Sequence, residues 1–166
     1  MYGPIIEGKL VRLRPPRSED AVVMVTWFED MEVTRFLLLR HPPSMEMEKE
    51  WLDRMARNPD DVVWVIEHKG QPVGTTALHM IDWKNGFATT GTVIGDKAVW
   101  GKGLGRELMQ LRARYSFTQL PLRKLKSGYI STGTWPAPKP RRRPATARLA
   151  GFGLTCSSTA GGATTS

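Results

Sequence analysis

The sequence has a single cysteine, only three histidines and no long apolar run, and each shortage excludes a class of protein. With Cys156 alone, the chain can form no internal disulfide and no cysteine-based metal cluster. The isolated His41, His68 and His79 show no metal-ligand spacing, so we expect no metal site. No apolar stretch approaches the ~20 residues of a membrane span, and no secretory signal is visible at the N-terminus. We therefore expect a cytoplasmic protein that does not bind the membrane.

Acidic residues are absent from the last part of the chain. The whole sequence has 24 Lys and Arg against 16 Asp and Glu, a net charge of +8. Residues 131–166 hold five of these basic residues and no acidic one, whereas residues 1–130 carry 19 basic and 16 acidic residues, a net of +3. The positive charge is thus mostly a property of the tail, and we do not expect the domain to bind nucleic acid.

The clearest functional pattern lies in the stretch from residue 92 to residue 117. Apolar Val93 and Ile94 precede a short polar loop, and glycines then stand at every second position: Gly101, Gly103 and Gly105. Apolar residues follow with the spacing of a helix: Leu104, Leu108, Leu111 and Tyr115. The pattern predicts a strand, a glycine loop and a helix that begins at the loop.

This arrangement predicts a binding site for a di- or polyphosphate. Glycines leave backbone N–H groups uncovered, and a helix N-terminus adds free donors and a partial positive charge. Lys102 and Arg106 add charge beside the loop. The P-loop pattern is excluded because Gly105 is followed by Arg106 rather than by Lys and Ser or Thr. The dinucleotide fingerprint is excluded because its third glycine falls one residue early.

The wording W-G-K-G-L-G after a strand resembles the coenzyme A pyrophosphate loop of the GNAT family of N-acetyltransferases, in the branch that acetylates N-terminal amines of ribosomal proteins. The resemblance implies acetyl-CoA as cosubstrate and, as acceptor, a primary amine of a protein N-terminus or of a small molecule. It implies that the pantetheine arm pairs with Val93 and Gly95 and that the pyrophosphate binds the amides of Gly101 to Arg106. The implied cofactor-binding residues are Val93, Ile94, Gly95, Trp100, Gly101, Lys102, Gly103, Leu104, Gly105 and Arg106.

The order of predicted elements extends the resemblance over about residues 6–130, within a predicted domain of residues 1–130. Alternation and apolar runs predict five strands, at Lys9–Arg14, Val62–Glu67, Val73–Ile81, Phe87–Gly95 and Arg123–Ile130. Two helices are predicted after Ser18 and Ser44, which we expect to act as N-caps. This is the order of a GNAT domain, an α+β fold with a mixed, mostly antiparallel sheet flanked by helices. In that fold acetyl-CoA would lie between the fourth and fifth of these strands.

The catalytic residues are not assigned by the sequence. Many members of this branch carry a Glu in the fourth strand as general base, but the corresponding stretch, residues 88–91, reads A-T-T-G. The nearest titratable candidates are His79 and Asp96, and neither is favoured by its surroundings in the sequence.

Residues 131–166 differ in composition from the domain before them. They are rich in Pro, Ser, Thr and Gly, which predicts a disordered basic tail in place of the helix and two strands that usually end the family's fold. Codons rebuilt in a shifted frame permit the family's usual ending, so we hypothesise a frameshift near residues 130–134. The last strand would then have an open edge, which favours a homodimer.

A second function stays open beside the enzyme. A truncated GNAT-like domain would bind coenzyme A without catalysis, and its tail, with consecutive arginines at positions 141–143, would contact nucleic acid or another polyanion.

Overall fold

The computed structural model describes residues 1–35, 37 and 41–128. Within them the chain forms six strands, four α-helices and one 3₁₀ turn. The strands are β1 Ile6–Glu7, β2 Arg12–Arg14, β3 Val62–His68, β4 Gln71–Asp82, β5 Phe87–Ile94 and β6 Lys124–Ser127. The helices are α1 Asp20–Phe28, α2 Met31–Thr34, α3 Met45–Arg57 and α4 Leu104–Thr118, and the 3₁₀ turn is Lys97–Val99.

All six strands join one sheet in the order of the chain. Neighbouring strands are antiparallel except β5 and β6, which are parallel. A parallel pair needs a long crossover, which the 3₁₀ turn and α4 supply here. The predicted α+β class, with a mixed and mostly antiparallel sheet flanked by helices, is confirmed.

Helices cover both faces of the sheet at its centre. On one face of β3, Trp64 packs with Leu108 of α4 and meets the Tyr115 ring edge to face, with 5.4 Å between ring centroids. On the other face, Val63 packs with Met55 of α3. Because β3 is buried on both faces, its sequence is a continuous apolar run rather than an alternating one. The sheet therefore has an α4 face and an α1–α3 face.

The predicted first strand begins later than expected because its first residues form a turn between β1 and β2. The carboxylate of Glu107, on α4, holds this turn by accepting hydrogen bonds from three successive backbone amides: Lys9 at 2.6 Å, Leu10 at 2.7 Å and Val11 at 3.1 Å. Desolvation opposes ionisation of this carboxyl, but the three amides outweigh it and hold the pKa of Glu107 below its ordinary value.

Replacing Glu107 by Gln is expected to destabilise the domain by about 1–2 kcal/mol at neutral pH, because hydrogen bonds to a partly exposed charged group are lost. The folded-state pKa is lowered, so the carboxylate stabilises the fold above its unfolded pKa, and this contribution is lost as the pH falls through the folded pKa. Thermal denaturation across pH measures it, with exposed Glu50→Gln on α3 as control. An equal loss of stability in Glu107→Gln and Glu50→Gln would contradict the role of Glu107 in holding the turn.

The two predicted helix caps have different outcomes. Ser44 caps α3, since the Met47 N–H donates to Ser44 Oγ at 3.3 Å. The predicted cap at Ser18 is wrong, because α1 begins at Asp20 and its capping position makes no side-chain hydrogen bond. Asp20 is instead buried in an ion pair with Arg14 at 2.7 Å.

Some predictions fall on residues that the structure does not describe. The tail at residues 131–166, its frameshift origin and the last two residues of the predicted fifth strand lie outside the described residues. Within the described residues, no helix is long and apolar enough to cross a membrane.

Candidate functional site

The glycine loop lies between the 3₁₀ turn and the first residue of α4. Gly101 and Gly103 have φ angles of 75° and 88°, in the left-handed region that side chains disfavour. The N–H groups of Arg106 and Glu107 both donate to the Gly103 carbonyl, at 3.1 and 3.2 Å. The left-handed residue Gly103 therefore caps α4 through its backbone and sets the direction in which the helix begins.

Five successive amides of this loop are available to a ligand. The N–H groups of residues 101–105 donate to no other described residue, and residues 101–103 are exposed. The exposed cations Lys102 and Arg106 flank them. The Arg106 amide, which we had included in the anion site, is already bonded within the helix. The remaining amides fit a phosphate group at a helix N-terminus.

The second half of β5 has an open edge beside this loop. Strand β6 pairs with residues 87–90 of β5, and no described strand pairs with residues 91–94 on that side. The Gly95 N–H donates to Val73 O on the opposite side, at 2.9 Å. Because backbone groups alternate along a strand, Val93 also faces β4, and the groups on the open edge belong to Thr92 and Ile94. The expected pairing through Val93 and Gly95 is thus shifted by one residue.

A cleft of about 680 Å³ opens along this edge and ends at the glycine loop. Seven of the ten predicted residues line it: Val93, Ile94, Trp100, Gly101, Gly103, Leu104 and Gly105. The Trp100 indole donates to Ile94 O at 2.9 Å and so joins the loop to the strand. Gly95 is buried under the Trp27 ring, which leaves no room for a Cβ. The Lys102 and Arg106 side chains lie outside the lining.

A second cavity of about 450 Å³ lies on the α1–α3 face of the sheet. It is lined mainly by apolar and aromatic side chains, with Glu48, Arg54 and His79 as its titratable groups. Burial raises the pKa of the Glu48 carboxyl. Residues 91–93 of β5 line both this cavity and the cleft, so the two spaces meet at the middle of the open strand.

A histidine that lines the apolar cavity is paired with an aspartate. His79 Nδ1 is 3.2 Å from Asp61 Oδ1, and the His79 side chain is one-third exposed. A Cβ built on Gly91 would lie 3.2 Å from His79 Nε2, so glycine at this position leaves room for the ring. The other sequence candidate, Asp96, is occupied in capping the 3₁₀ turn through the Ala98 N–H at 2.9 Å.

Within the described residues, no group of three or more His, Cys, Asp or Glu side chains is placed to hold a metal ion. The site therefore consists of backbone donors, an open strand edge and a small number of titratable side chains.

Comparison with known proteins gives a family match. Residues 11–132 match a family model described as an acetyltransferase (GNAT) domain. A curated N-acetyltransferase of Bacillus licheniformis, itself uncharacterised, is 26% identical over 120 residues, which are 69% of this chain and 67% of that protein.

Solved structures show the same fold. The spermidine N-acetyltransferase of Vibrio cholerae, in complex with CoA and spermine, is 20% identical with a TM-score of 0.66, covering 72% of this chain and 71% of that one. A ribosomal alpha-N-protein acetyltransferase in complex with coenzyme A is 14% identical with a TM-score of 0.67, over 74% and 73% of the two chains. The chain spans about two thirds of the length of its first relatives.

Proposed function

Because the chain belongs to the GNAT acetyltransferase family, we propose that it transfers an acetyl group from acetyl-CoA to a primary amine. The observation that carries this proposal is the meeting of two spaces at residues 91–93 of β5. One space ends at a loop of free amides that suits a pyrophosphate, and the other is an apolar cavity with a histidine at its inner end. Such an arrangement allows a donor and an acceptor to approach each other from opposite sides of one strand.

The cleft has the groups that coenzyme A requires. The amides of residues 101–105 would bind the pyrophosphate, and Lys102 and Arg106 would add positive charge from the rim. The outward-facing backbone of Thr92 and the N–H of Ile94 would pair with the amides of the pantetheine arm, as an added strand does. When bound, acetyl-CoA would supply the activated acyl group as a thioester.

The apolar cavity has the groups that an amine acceptor requires. Its wall includes Phe28 and Trp51, and the Glu48 carboxylate offers a partner for a cationic amine. The related structures named for spermidine and for a ribosomal protein are consistent with this class of acceptor. Both a protein N-terminus and a small-molecule amine remain acceptors under this proposal.

We assign His79 the role of general base. An amine attacks a carbonyl carbon only as the neutral form, so a proton must leave before or during the attack. The Nε2 side of His79 lies beside Gly91, where the two spaces meet. Asp61 would hold the proton on Nδ1 and stabilise the imidazolium that forms. Asp61 is itself held by the Met80 N–H at 2.9 Å and by Asn58 Nδ2 at 2.7 Å.

Turnover with a panel of amines tests the function. The 166-residue protein is expected to release free coenzyme A from acetyl-CoA when a peptide N-terminus, a polyamine or an aminoglycoside is present. The rate should rise with pH, because the neutral fraction of the amine rises. Coenzyme A binding without acetylation of any amine would contradict the proposal and favour the non-catalytic alternative.

The origin of the tail at residues 131–166 bears on the choice between these two functions. The family match ends at residue 132, close to the point where the basic composition rich in Pro, Ser, Thr and Gly begins. This supports our hypothesis that the tail is a frameshift product. The sequence of the gene across codons 128–140 tests it. A single uninterrupted frame would instead favour a genuine basic tail that contacts a polyanion.

A further inference from the structure

Arg112 is a buried cation without a carboxylate partner among the described residues. It lies on the sheet-facing side of α4, with 4% of its surface exposed. Its Nη1 donates to three neutral oxygens: Thr76 Oγ1 at 2.5 Å, Thr92 Oγ1 at 2.8 Å and Gly91 O at 2.8 Å. Its buried Nε has no hydrogen-bond partner. A buried charge that meets only neutral dipoles is costly, so an anion beside it would be stabilised.

The same chain shows how a buried arginine is normally compensated. Arg14 is 5% exposed and bonds to two carboxylates, those of Asp20 and Glu67, each at 2.7 Å. The hydrogen bonds that Arg14 donates to Asp20 are the main cause that raises the pKa of Arg14. Burial instead lowers the pKa of Arg112 to about 10. The charge of Arg112 is therefore not balanced by a carboxylate, as in a site that binds an anion. The charge of Arg14 is balanced, as in a structural ion pair.

The position of Arg112 decides which anion it would meet. It lines the cleft eight residues after the start of α4, which places it about 12 Å along the helix from the glycine loop. It is therefore too far to neutralise a phosphate bound at that loop. Its bond to Gly91 O places it at the point where the cleft and the apolar cavity meet. This is where the acyl end of the donor would lie.

We propose that the Arg112 guanidinium stabilises the sulfur anion of coenzyme A as the acetyl group leaves it, an inference that rests on the proposed function. In the reaction the amine nitrogen forms a bond to the carbonyl carbon, and the carbon–sulfur bond breaks. Its electron pair leaves with sulfur as a thiolate, while the proton of the amine passes to His79. No described residue other than Arg112 places a cation at this part of the cleft.

Few other charges would affect that sulfur. Glu32 lines the cleft but is paired with Lys97 at 3.0 Å. His79 lines the apolar cavity on the acceptor side of β5 and is unchanged in every variant compared, and Lys126 Nζ of β6 is 3.8 Å from the centre of the Phe87 ring. Arg112 is therefore the group whose removal should change the ionisation of a thiol in the cleft.

The pKa of the thiol of bound coenzyme A tests this inference, read from the ultraviolet absorbance of the thiolate as pH rises. A reference complex with desulfo-coenzyme A subtracts the ionisation of the tyrosines and of Cys156. In the 166-residue protein the thiol pKa should fall by about 1–3 units relative to free coenzyme A, as beside an opposite charge. Arg112→Lys should retain part of the shift, and Arg112→Met should abolish it.

Arg114→Met is the matched control, because Arg114 is exposed on the same helix and should leave the thiol pKa unchanged. Desulfo-coenzyme A affinity and circular dichroism show whether each variant keeps its fold and its loop. If Arg112→Met does not fold, the role of Arg112 is still tested by two measurements: the thiol pKa shift in the wild-type complex and the smaller shift expected in Arg112→Lys. An unshifted thiol in the wild-type complex would overturn the role of Arg112 alone. Failure to bind either coenzyme would overturn the proposed function as well.

Discussion

Replacing Gly103 by Val is expected to abolish coenzyme A binding while the domain remains folded. The φ angle of 88° at this residue costs a side chain about 1–2 kcal/mol, and a β-branched side chain more. The loop would relax by turning its backbone, which would move the free amides of residues 101–105 from their present positions. Since a hydrogen bond to a charged group contributes about 1.5–3 kcal/mol, the loss of two would lower affinity at least about 100-fold.

Gly70→Val provides the matched control for this experiment. Gly70 lies in the turn between β3 and β4 with a φ of 78°, and no atom lies within 4 Å of its added Cβ. It therefore carries a similar backbone strain at a distance from the cleft. Calorimetry with coenzyme A should show wild-type affinity for Gly70→Val and none for Gly103→Val, with similar melting temperatures. If the two variants bind equally well, the loop does not hold the pyrophosphate.

Replacing His79 by Gln is expected to reduce kcat by about 10²–10⁴-fold without changing the affinity for coenzyme A. Glutamine keeps an amide N–H that can donate to Asp61 but accepts no proton at neutral pH. The rise of activity with pH that comes from ionisation of the amine should persist in this variant. Asp61→Asn should give a smaller loss, since the imidazole remains but its tautomer and its cationic form are less well stabilised.

His68→Gln is the corresponding control. His68 Nδ1 lies 2.6 Å from Leu10 O, near the turn that precedes β2, and His68 lines neither the cleft nor the apolar cavity. Steady-state assays at saturating acetyl-CoA compare kcat of the two variants. They distinguish the loss of a catalytic histidine from the effect of replacing any histidine by glutamine. An unchanged rate and pH profile in His79→Gln would exclude it as the base and leave proton transfer to water.

Local patterns explain why much of the fold was predictable. The Ser44 cap and the glycine loop each depend on residues within a few positions of one another, so both can be predicted from the sequence. The apolar spacing of α4 is confirmed by buried Leu104 and Leu108. The predicted first strand begins too early because Glu107, nearly 100 residues away, holds residues 9–11 in a turn before β2.

The candidate site was predictable only where it is local. The loop residues were found because glycines at alternate positions before a helix have a direct physical meaning. The register of β5 was not predictable from the sequence. The pairing of β5 with β4 decides which backbone groups of β5 face the open edge. His79 and Asp61 are 18 residues apart, and nothing in either neighbourhood signals the other.

The sequence by itself determined the order of the main elements, the position of the glycine loop before α4 and the family, because these depend on short-range spacing and residue type. Only the tertiary structure decided which polar side chains converge. The sheet brings Thr76 and Thr92 under Arg112 across 36 and 20 residues, and it places Asp61 beside His79, which lines the second cavity. Burial and long-range pairing set the chemistry of such groups, and both depend on the assembled sheet rather than on any one stretch of chain.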